Sequence, residues 1–180
     1  MYDIASATEV DIDGIAALLQ ENAPSRGGSL TGEFPRDKVV AMTLGDSPVI
    51  VARRRGSVVG VLFSSSKSNV SAPPSVRAML AAWPGDAGAY VYGPVCIADS
   101  ERGQGLLAKL YASLQHRLPD REAVLFIRAD NEASIRAHHR LGMRHVADFR
   151  FEGSPYLVLS NRSVWPREQG SQRLDAGRPG

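Results

Sequence analysis

The passage Arg102-Gly103-Gln104-Gly105-Leu106-Leu107 constrains this chain more than any other stretch. It lies between an apolar run ending at Ile97 and a leucine-periodic run continuing to Leu118, which reads as strand, loop and helix with glycines at the bend. The first backbone N–H groups of a helix have no intrahelical acceptor and point outward, so such a bend can cradle a phosphate group. Glycine lets an anion approach the main chain, and Arg102 adds a fixed positive charge at the mouth. Glycines between a strand and a helix often only turn the chain; this loop gains its weight from a second motif about thirty residues downstream.

After a second short apolar strand, Ala123 to Arg128, comes Asn131-Glu132-Ala133-Ser134-Ile135-Arg136-Ala137-His138-His139-Arg140-Leu141-Gly142-Met143. Together the two stretches resemble the GCN5-related N-acetyltransferase (GNAT) family. Arg102 and Gly105 match its acetyl-CoA pyrophosphate loop, R/Q-x-x-G-x-G/A. Asn131, Ser134, His138, Leu141 and Gly142 match its N-x-x-S/A-x-x-x-Y/H-x-x-L-G-F pattern, with Met143 in place of Phe. Leu107 stands where the family prefers Gly or Ala. That position is already helical, so Leu keeps its N–H and costs no forbidden φ; the expectation is a slightly displaced cofactor.

The resemblance implies an α/β fold: a mixed, mostly antiparallel sheet of about seven strands, about four flanking helices, and a splayed or bulged fourth strand. It also implies acetyl-CoA as co-substrate, with no metal. The backbone of Gly103, Gln104, Gly105, Leu106 and Leu107 would meet the pyrophosphate, and Asn131 and Ser134 would lie along the pantetheine arm. Backbone N–H groups around Val95, Cys96 and Ile97 would hold the thioester. His138 is implied as the general acid that protonates the departing thiolate. Residue chemistry alone gives Asn131 a second reason to be there, as a good N-cap.

The remaining elements read locally. Tyr2 to Ala7 suits a short strand. Thr8 and Asp11 form a capping-box-like start to a helix carrying Ile12, Ile15, Ala16, Leu18 and Leu19 and ending near Asn22. Residues 23–33 read as a polar loop, followed by a helix through Val39, Val40, Met42 and Leu44. Val49–Ala52 and Val58–Phe63 read as a hairpin around Arg53-Arg54-Arg55-Gly56-Ser57, whose arginines are expected to be a solvated tip. Ser64–Ser75 is serine-rich and reads as a flexible connection, with a short helix from Val76 to Trp83. The strand Ala89–Ala98 contains Gly93-Pro94; proline cannot donate to a ladder, so a bulge is expected. On the following helix Leu107, Leu110, Leu114 and Leu118 are the expected core face. Arg144–Phe151 and Tyr156–Leu159 supply two last strands. Residues 1–161 are expected to form one domain and 162–180 a mobile tail, since few apolar residues follow Asn161.

Composition narrows the function classes. With 180 residues, 43% hydrophobic and 22% charged, the chain has the size and apolar content of one domain. A formal charge of +2 is not the basic excess of a dedicated nucleic-acid binder. A single cysteine, Cys96, excludes an internal disulfide and fits a reducing compartment. Neither a targeting signal nor a membrane span is evident, so the expectation is a cytoplasmic protein without membrane or nucleic-acid partners.

Acetyl transfer to an amine needs a group to take a proton from nitrogen and a way to stabilise or protonate the leaving sulfur. No motif marks the base; Glu33, Tyr92 and Glu152 are candidates by location in substrate-facing segments. Cys96 as an acyl-carrying nucleophile lacks a neighbouring base in sequence. The acceptor would be a small-molecule or protein amine, and Glu33, Asp37 and Asp86 hint at a cationic one. Exposed edge strands leave a homodimer open. A non-catalytic acyl-CoA-binding sensor or scaffold is the competing reading.

Overall fold

The computed structural model describes residues 1–162. The elements are β1 (Asp3–Ser6), α1 (Ile12–Glu21), α2 (Arg36–Thr43), β2 (Ile50–Arg54), β3 (Ser57–Ser66) and α3 (Pro74–Ala82). They continue with β4 (Tyr90–Ile97), α4 (Leu106–Arg117), β5 (Ala123–Arg128), α5 (Glu132–Arg140), β6 (Arg144–Phe151) and β7 (Ser154–Ser160). Seven strands form one sheet in the order β1-β2-β3-β4-β5-β7-β6. Every neighbouring pair is antiparallel except β4 with β5. The expected mixed sheet is found, with five helices in place of about four.

Alternation along the strands divides the core. Ile50 and Ala52 of β2 face α4, where they meet Leu106, Leu110 and Leu114. Val51 between them faces α1 and packs with Ile15, Leu18 and Leu19. Met79 of α3 covers the same side further along, over Val91, Val124 and Val158. Thus α4 and α5 cover one face of the sheet and α1, α2 and α3 the other. Gly60 permits this spacing, because a Cβ there would lie 3.2 Å from a Leu106 methyl and 3.3 Å from one of Leu110. The core face of α4 is set by Leu106, Leu110, Tyr111 and Leu114. Leu107, expected on that face, is only half-buried and turns toward a cleft beside β4.

Two corrections concern stretches that read as solvent-exposed or flexible. The arginines of the β2–β3 hairpin are not a free tip: Arg53 binds Asp11 at 2.7 Å and Asp3 at 2.9 Å, and Arg54 binds Glu101 at 2.8 Å. Only Arg55 occupies the turn, with φ +52°. Asp11 also accepts from the Thr8 N–H at 2.8 Å, closing the expected capping box. Burial raises the Asp11 carboxyl, but hydrogen bonds from Arg53 and Thr8 outweigh it and hold the group below its ordinary value. The serine-rich stretch begins as strand, since β3 continues through Ser66 by pairing with β4. Ser64 Oγ donates to the Pro48 carbonyl at 2.6 Å, which satisfies a buried hydroxyl inside the sheet.

Of the expected tail, Arg162 belongs to the described residues: its N–H donates to Ser160 Oγ at 3.0 Å and its guanidinium to the Asp120 carbonyl. The rest of that segment, 163–180, lies outside the described residues.

Candidate active site

The site begins with an interruption in the sheet. β3 pairs with β4 from Gly60↔Ile97 to Leu62↔Val95 and again from Ser64↔Tyr92 onward. Two steps along β3 therefore match three along β4, and the extra residue falls at Gly93-Pro94, where the bulge was expected. On its other side β4 pairs with β5 only at Tyr90↔Ala123 and Val91↔Val124. The pairing stops two residues before the bulge, which bends β4 away while β5 continues on β7 through Arg128. The strands splay, and a cleft of about 1490 Å³ opens between them.

Which groups of β4 face the cleft follows from the ladder. Ala98 N–H donates to the Val59 carbonyl at 2.9 Å, so Ala98, and Cys96 two residues back, present their backbone to β3. Val95 and Ile97, of opposite parity, present theirs to the open edge. Cys96, grouped with them in the sequence reading, thus turns its amide away from the cleft. Its side chain packs among Leu18 and Leu19 with Sγ 3.8 Å from the Leu18 carbonyl, and burial pushes the thiol up to about 12. A thiol so strongly protonated is no nucleophile near neutral pH.

The glycine loop opens on the same cleft. Gly103 and Gly105 have φ of +73° and +74°, a region that favours glycine, and nothing lies within 4 Å of where their Cβ atoms would be. Gly105 is the N-cap of α4. Among the described residues, the N–H groups of residues 103–108 donate to no backbone or side-chain acceptor; Lys109 is the first to bond back, to the Gly105 carbonyl at 3.4 Å. These free amides, with room beside both glycines, fit a pyrophosphate. Gln104 contributes backbone only, because its side chain donates to the Ser100 carbonyl at 2.9 Å and lies 3.1 Å from the Tyr2 hydroxyl. The Arg102 guanidinium is anchored by Asn22 at 2.8 Å, Asp99 at 2.8 Å and the Ile97 carbonyl at 3.2 Å. It ties the end of β4 to α1 as well as adding charge.

Glu101 was not visible as a site-building residue in the sequence. Its buried carboxylate accepts from Tyr2 Oη at 2.5 Å and from Arg54, and these hydrogen bonds hold it below its ordinary value. Two positions before its first glycine the loop is therefore fastened to Tyr2, at the start of β1, and to the β2–β3 hairpin. An isolated Glu beside a Gly-rich loop and a distant arginine run carry no joint signature, since the pair is 47 positions apart.

Across the cleft, Asn131 Oδ1 accepts from the Ser134 N–H at 3.2 Å and caps α5. Its amide nitrogen has no partner among the described residues, and Asn131 lines the cleft with Ser134. One turn on, His138 is 2% exposed. Its Nδ1 lies 2.8 Å from the Ser134 carbonyl and its Nε2 3.1 Å from Tyr92 Oη. A carbonyl only accepts, so Nδ1 carries the proton of the neutral ring and Nε2 accepts from the Tyr92 hydroxyl. Burial lowers the His138 pKa, opposed by the Ser134 carbonyl, and keeps the ring neutral at pH 7. Burial likewise holds the Tyr92 hydroxyl well above its ordinary value. In this arrangement the one N–H of His138, expected to serve as general acid, is held by the Ser134 carbonyl.

Of the candidate bases, Tyr92 alone lines the cleft. Glu33 accepts from the Ser25 N–H at 3.0 Å in its own loop, and Glu152 occupies the exposed β6–β7 turn at φ +48°. The three acidic residues that hinted at a cationic acceptor, Glu33, Asp37 and Asp86, are likewise outside the cleft wall. That wall is formed instead by Leu30, Phe34, Met42, Phe126 and a series of serines around Ser64–Ser71. Among the described residues no group of three His, Cys, Asp or Glu side chains could hold a metal ion, and no helix is long and apolar enough to cross a membrane.

A mixed sheet split between its fourth and fifth strands, with a loop of free amides and a capped helix facing the split, defines an acyltransferase architecture. The chain belongs to the acetyltransferase (GNAT) family, whose sequence model matches residues 15–143. Its fold is similar to that of the ribosomal-protein-S18-alanine N-acetyltransferase of Escherichia coli, at 13% identity and TM-score 0.65, covering 89% of this chain and 92% of that one. It is similar to a ribosomal-protein-alanine N-acetyltransferase of Brucella melitensis at 21% identity and TM-score 0.65, covering 88% and 98%. It is also similar to the Salmonella typhimurium protein yncA, whose structure contains its cofactor acetyl-CoA, at 20% identity and TM-score 0.65, covering 89% and 92%. Among curated protein sequences none matches the chain.

Proposed function

We propose that this acetyltransferase moves an acetyl group from acetyl-CoA to a primary amine by direct attack, with no acyl-enzyme stage. The observation that carries the reading is the convergence of three features on one cleft: the free amides of residues 103–108, the open β4 edge at Val95 and Ile97, and the buried Tyr92–His138 pair. Acetyl-CoA supplies the activated acyl group. Gly103, Gln104, Gly105, Leu106 and Leu107 would hold its pyrophosphate through their backbone, with Asn131 and Ser134 beside the pantetheine arm. Val95 and Ile97 donate backbone hydrogen bonds that favour negative charge on a carbonyl oxygen at the open edge. Absence of a usable thiolate at Cys96 favours direct attack over a covalent relay.

Proton handling belongs to the neighbourhood of His138. The acceptor is a small-molecule or protein amine, and the names of two structural neighbours, both alanine N-acetyltransferases, support an amine. We assign the activity to the cytoplasm, where acetyl-CoA is found, with no membrane or nucleic-acid partner; edge-strand pairing is the route by which a homodimer would form. The test is thiol release from acetyl-CoA against a broad amine panel, with product identified by mass. Amine-dependent thiol release with an N-acetyl product supports the reading. Tight acetyl-CoA binding without release on any amine would identify a non-catalytic acyl-CoA-binding module.

A further inference from the structure

We propose that Tyr92 and His138 form a single proton shuttle serving both halves of the transfer, with Tyr92 as the catalytic group that meets the reacting atoms and His138 as the positioning residue behind it. This rests on the proposed acetyl transfer to an amine. The direction of the chain is fixed by its far end: the Ser134 carbonyl accepts from Nδ1, so Nε2 presents a lone pair, and the Tyr92 hydroxyl donates to it at 3.1 Å. Both residues line the cleft, and the groups of the pair left without a hydrogen-bond partner are the phenolic lone pairs. Tyr92 immediately precedes the Gly93-Pro94 bulge, three positions from the open-edge amide of Val95.

The pair is held rigidly and apart from competing groups. The Tyr92 ring packs edge-on against Tyr111 at 5.6 Å and against His138 at 5.5 Å. Tyr92 and His138 are 4% and 2% exposed, so the hydrogen bond between them lies out of bulk solvent. Two neighbouring polar groups are occupied elsewhere: Tyr111 Oη accepts from Asn161 at 3.0 Å, and His139 Nδ1 meets the Met143 carbonyl at 3.0 Å; Tyr90 Oη, in the same core cluster, is buried without a partner among the described residues. No carboxylate among the described residues hydrogen-bonds to Tyr92 or His138. Glu33 and Glu152 lie outside the cleft; of the carboxylates that line it, Glu101 is bound by Tyr2 and Arg54, Asp130 by Arg128, and Asp46 is exposed and hydrogen-bonds to neither member of the pair.

For an acceptor that attacks as the neutral amine, having left any extra proton to solvent, the proton count closes within the pair. As the C–N bond forms, an N–H bond of the attacking nitrogen breaks toward Tyr92 Oη, and the phenolic proton moves to His138 Nε2. The ring then carries two N–H groups, with Nδ1–H still on Ser134. As the C–S bond breaks, sulfur keeps the electron pair and takes a proton from Tyr92, which recovers one from Nε2. One proton has passed from nitrogen to sulfur, and both side chains end as they began. The buried imidazolium is a poor resting state and a good transient carrier, which suits a group that must give its proton back.

The experiment compares the parent with Tyr92→Phe, His138→Gln and the double variant. Tyr92→Phe removes one oxygen and keeps the ring in the core, so it preserves packing. We expect it to slow the chemical step by about 10² to 10⁴, with acetyl-CoA affinity by calorimetry unchanged. The double variant should be no slower than the worse single one, as for residues acting as a unit. In the protein without substrates, ¹⁵N NMR of the His138 ring should show Nδ1 protonated and Nε2 bare, and Tyr92→Phe should shift the Nε2 resonance. A Tyr92→Phe enzyme as fast as an active parent overturns the shuttle alone, as do additive losses or a ring protonated at Nε2. A parent that releases no thiol with any amine overturns the transfer reading and the shuttle with it.

Discussion

The cleft has two walls, and they are fastened to the molecule in different ways. The wall of residues 92–141 is made from elements that also form the core: Leu106, Leu110 and Met143 are fully buried directly beneath it. Its loop is fastened by Glu101 to Tyr2 and Arg54, and by Arg102 to Asn22. The wall of residues 29–47 and 64–76 is made mainly from loops and helix ends. Its exposed parts are fastened by short-range contacts such as Lys38 over the Phe34 ring at 4.2 Å and Ser66 with Ser68 at 2.8 Å, and by surface contacts such as Arg36 with Asp13 at 2.7 Å, while Ser64 and Val39 tie its base to the core. Exposed Val70 and Leu44 lie in these segments. The first wall cannot change without disturbing the fold, whereas the second can vary at little cost, as suits a surface that selects an acceptor.

The largest expected effect tests whether chemistry resides on the first wall. His138→Phe keeps a ring in the core and removes both nitrogens; turnover should fall about 10² to 10⁴ with acetyl-CoA affinity little changed, read by steady-state rates and calorimetry. Full turnover in this variant would leave both walls equal in function. The same residue gives a pH signature. Its folded-state pKa is depressed, so its contribution to stability is present above the unfolded value of about 6.5 and is lost as pH falls toward the folded value. The melting temperature of the parent should therefore drop more steeply below pH 6.5 than that of His138→Gln.

The next effect concerns the loop. Gly105→Val forces a branched residue to φ +74° and displaces an anion from the backbone. Loss of one or two charge-assisted hydrogen bonds, roughly 1.5 to 3 kcal/mol each, should weaken acetyl-CoA at least about tenfold. Calorimetry showing unchanged affinity in a folded variant would remove the loop from the cofactor site.

A smaller change separates fastening from chemistry. Arg53→Ala leaves the buried Asp11 carboxylate without its main partner, at a cost of roughly 1.5 to 3 kcal/mol, or several degrees in melting temperature. Acetyl-CoA affinity should hold. Because Asp11 is held below its ordinary value, the advantage of the parent is complete above about pH 4 and disappears as pH falls through the depressed folded value. A thermal scan in which Arg53→Ala melts with the parent at pH 7 would mean that the hairpin is fastened by other contacts.

The smallest effect belongs to the second wall. Ser68→Ala should leave stability within about 0.5 kcal/mol and acetyl-CoA affinity unchanged, while shifting KM for the acceptor. A change in cofactor affinity instead would show that the two walls are not independent.

Much of this was legible where the signal is local. The strands Ala123–Arg128 and Arg144–Phe151 have the boundaries read from the residues, because β-branched and aromatic runs between turn residues carry their own signal. The bulge at Gly93-Pro94 follows from a missing N–H, and the caps from side chains that span three residues, Asp11 back to the Thr8 N–H and Asn131 ahead to the Ser134 N–H. Ser64–Ser66 was illegible because serine has weak strand preference, and pairing with β4 overrides it. The phase of α4 was misread at Leu107 because consecutive leucines fit either face until the sheet beneath selects one.

What the sequence determined by itself is therefore the order of elements, the glycine loop with its free amides, the bulge and the family. Each depends on neighbours within a few positions or on a pattern of residue types. What only the tertiary structure decided is which groups share the cleft. Tyr92 meets His138 across 46 positions, Glu101 meets Arg54 across 47, and Glu33 and Glu152 are turned out. The parity that exposes Val95 and Ile97 but not Cys96 also depends on a partner strand, since an isolated strand has two equivalent edges until one of them is paired.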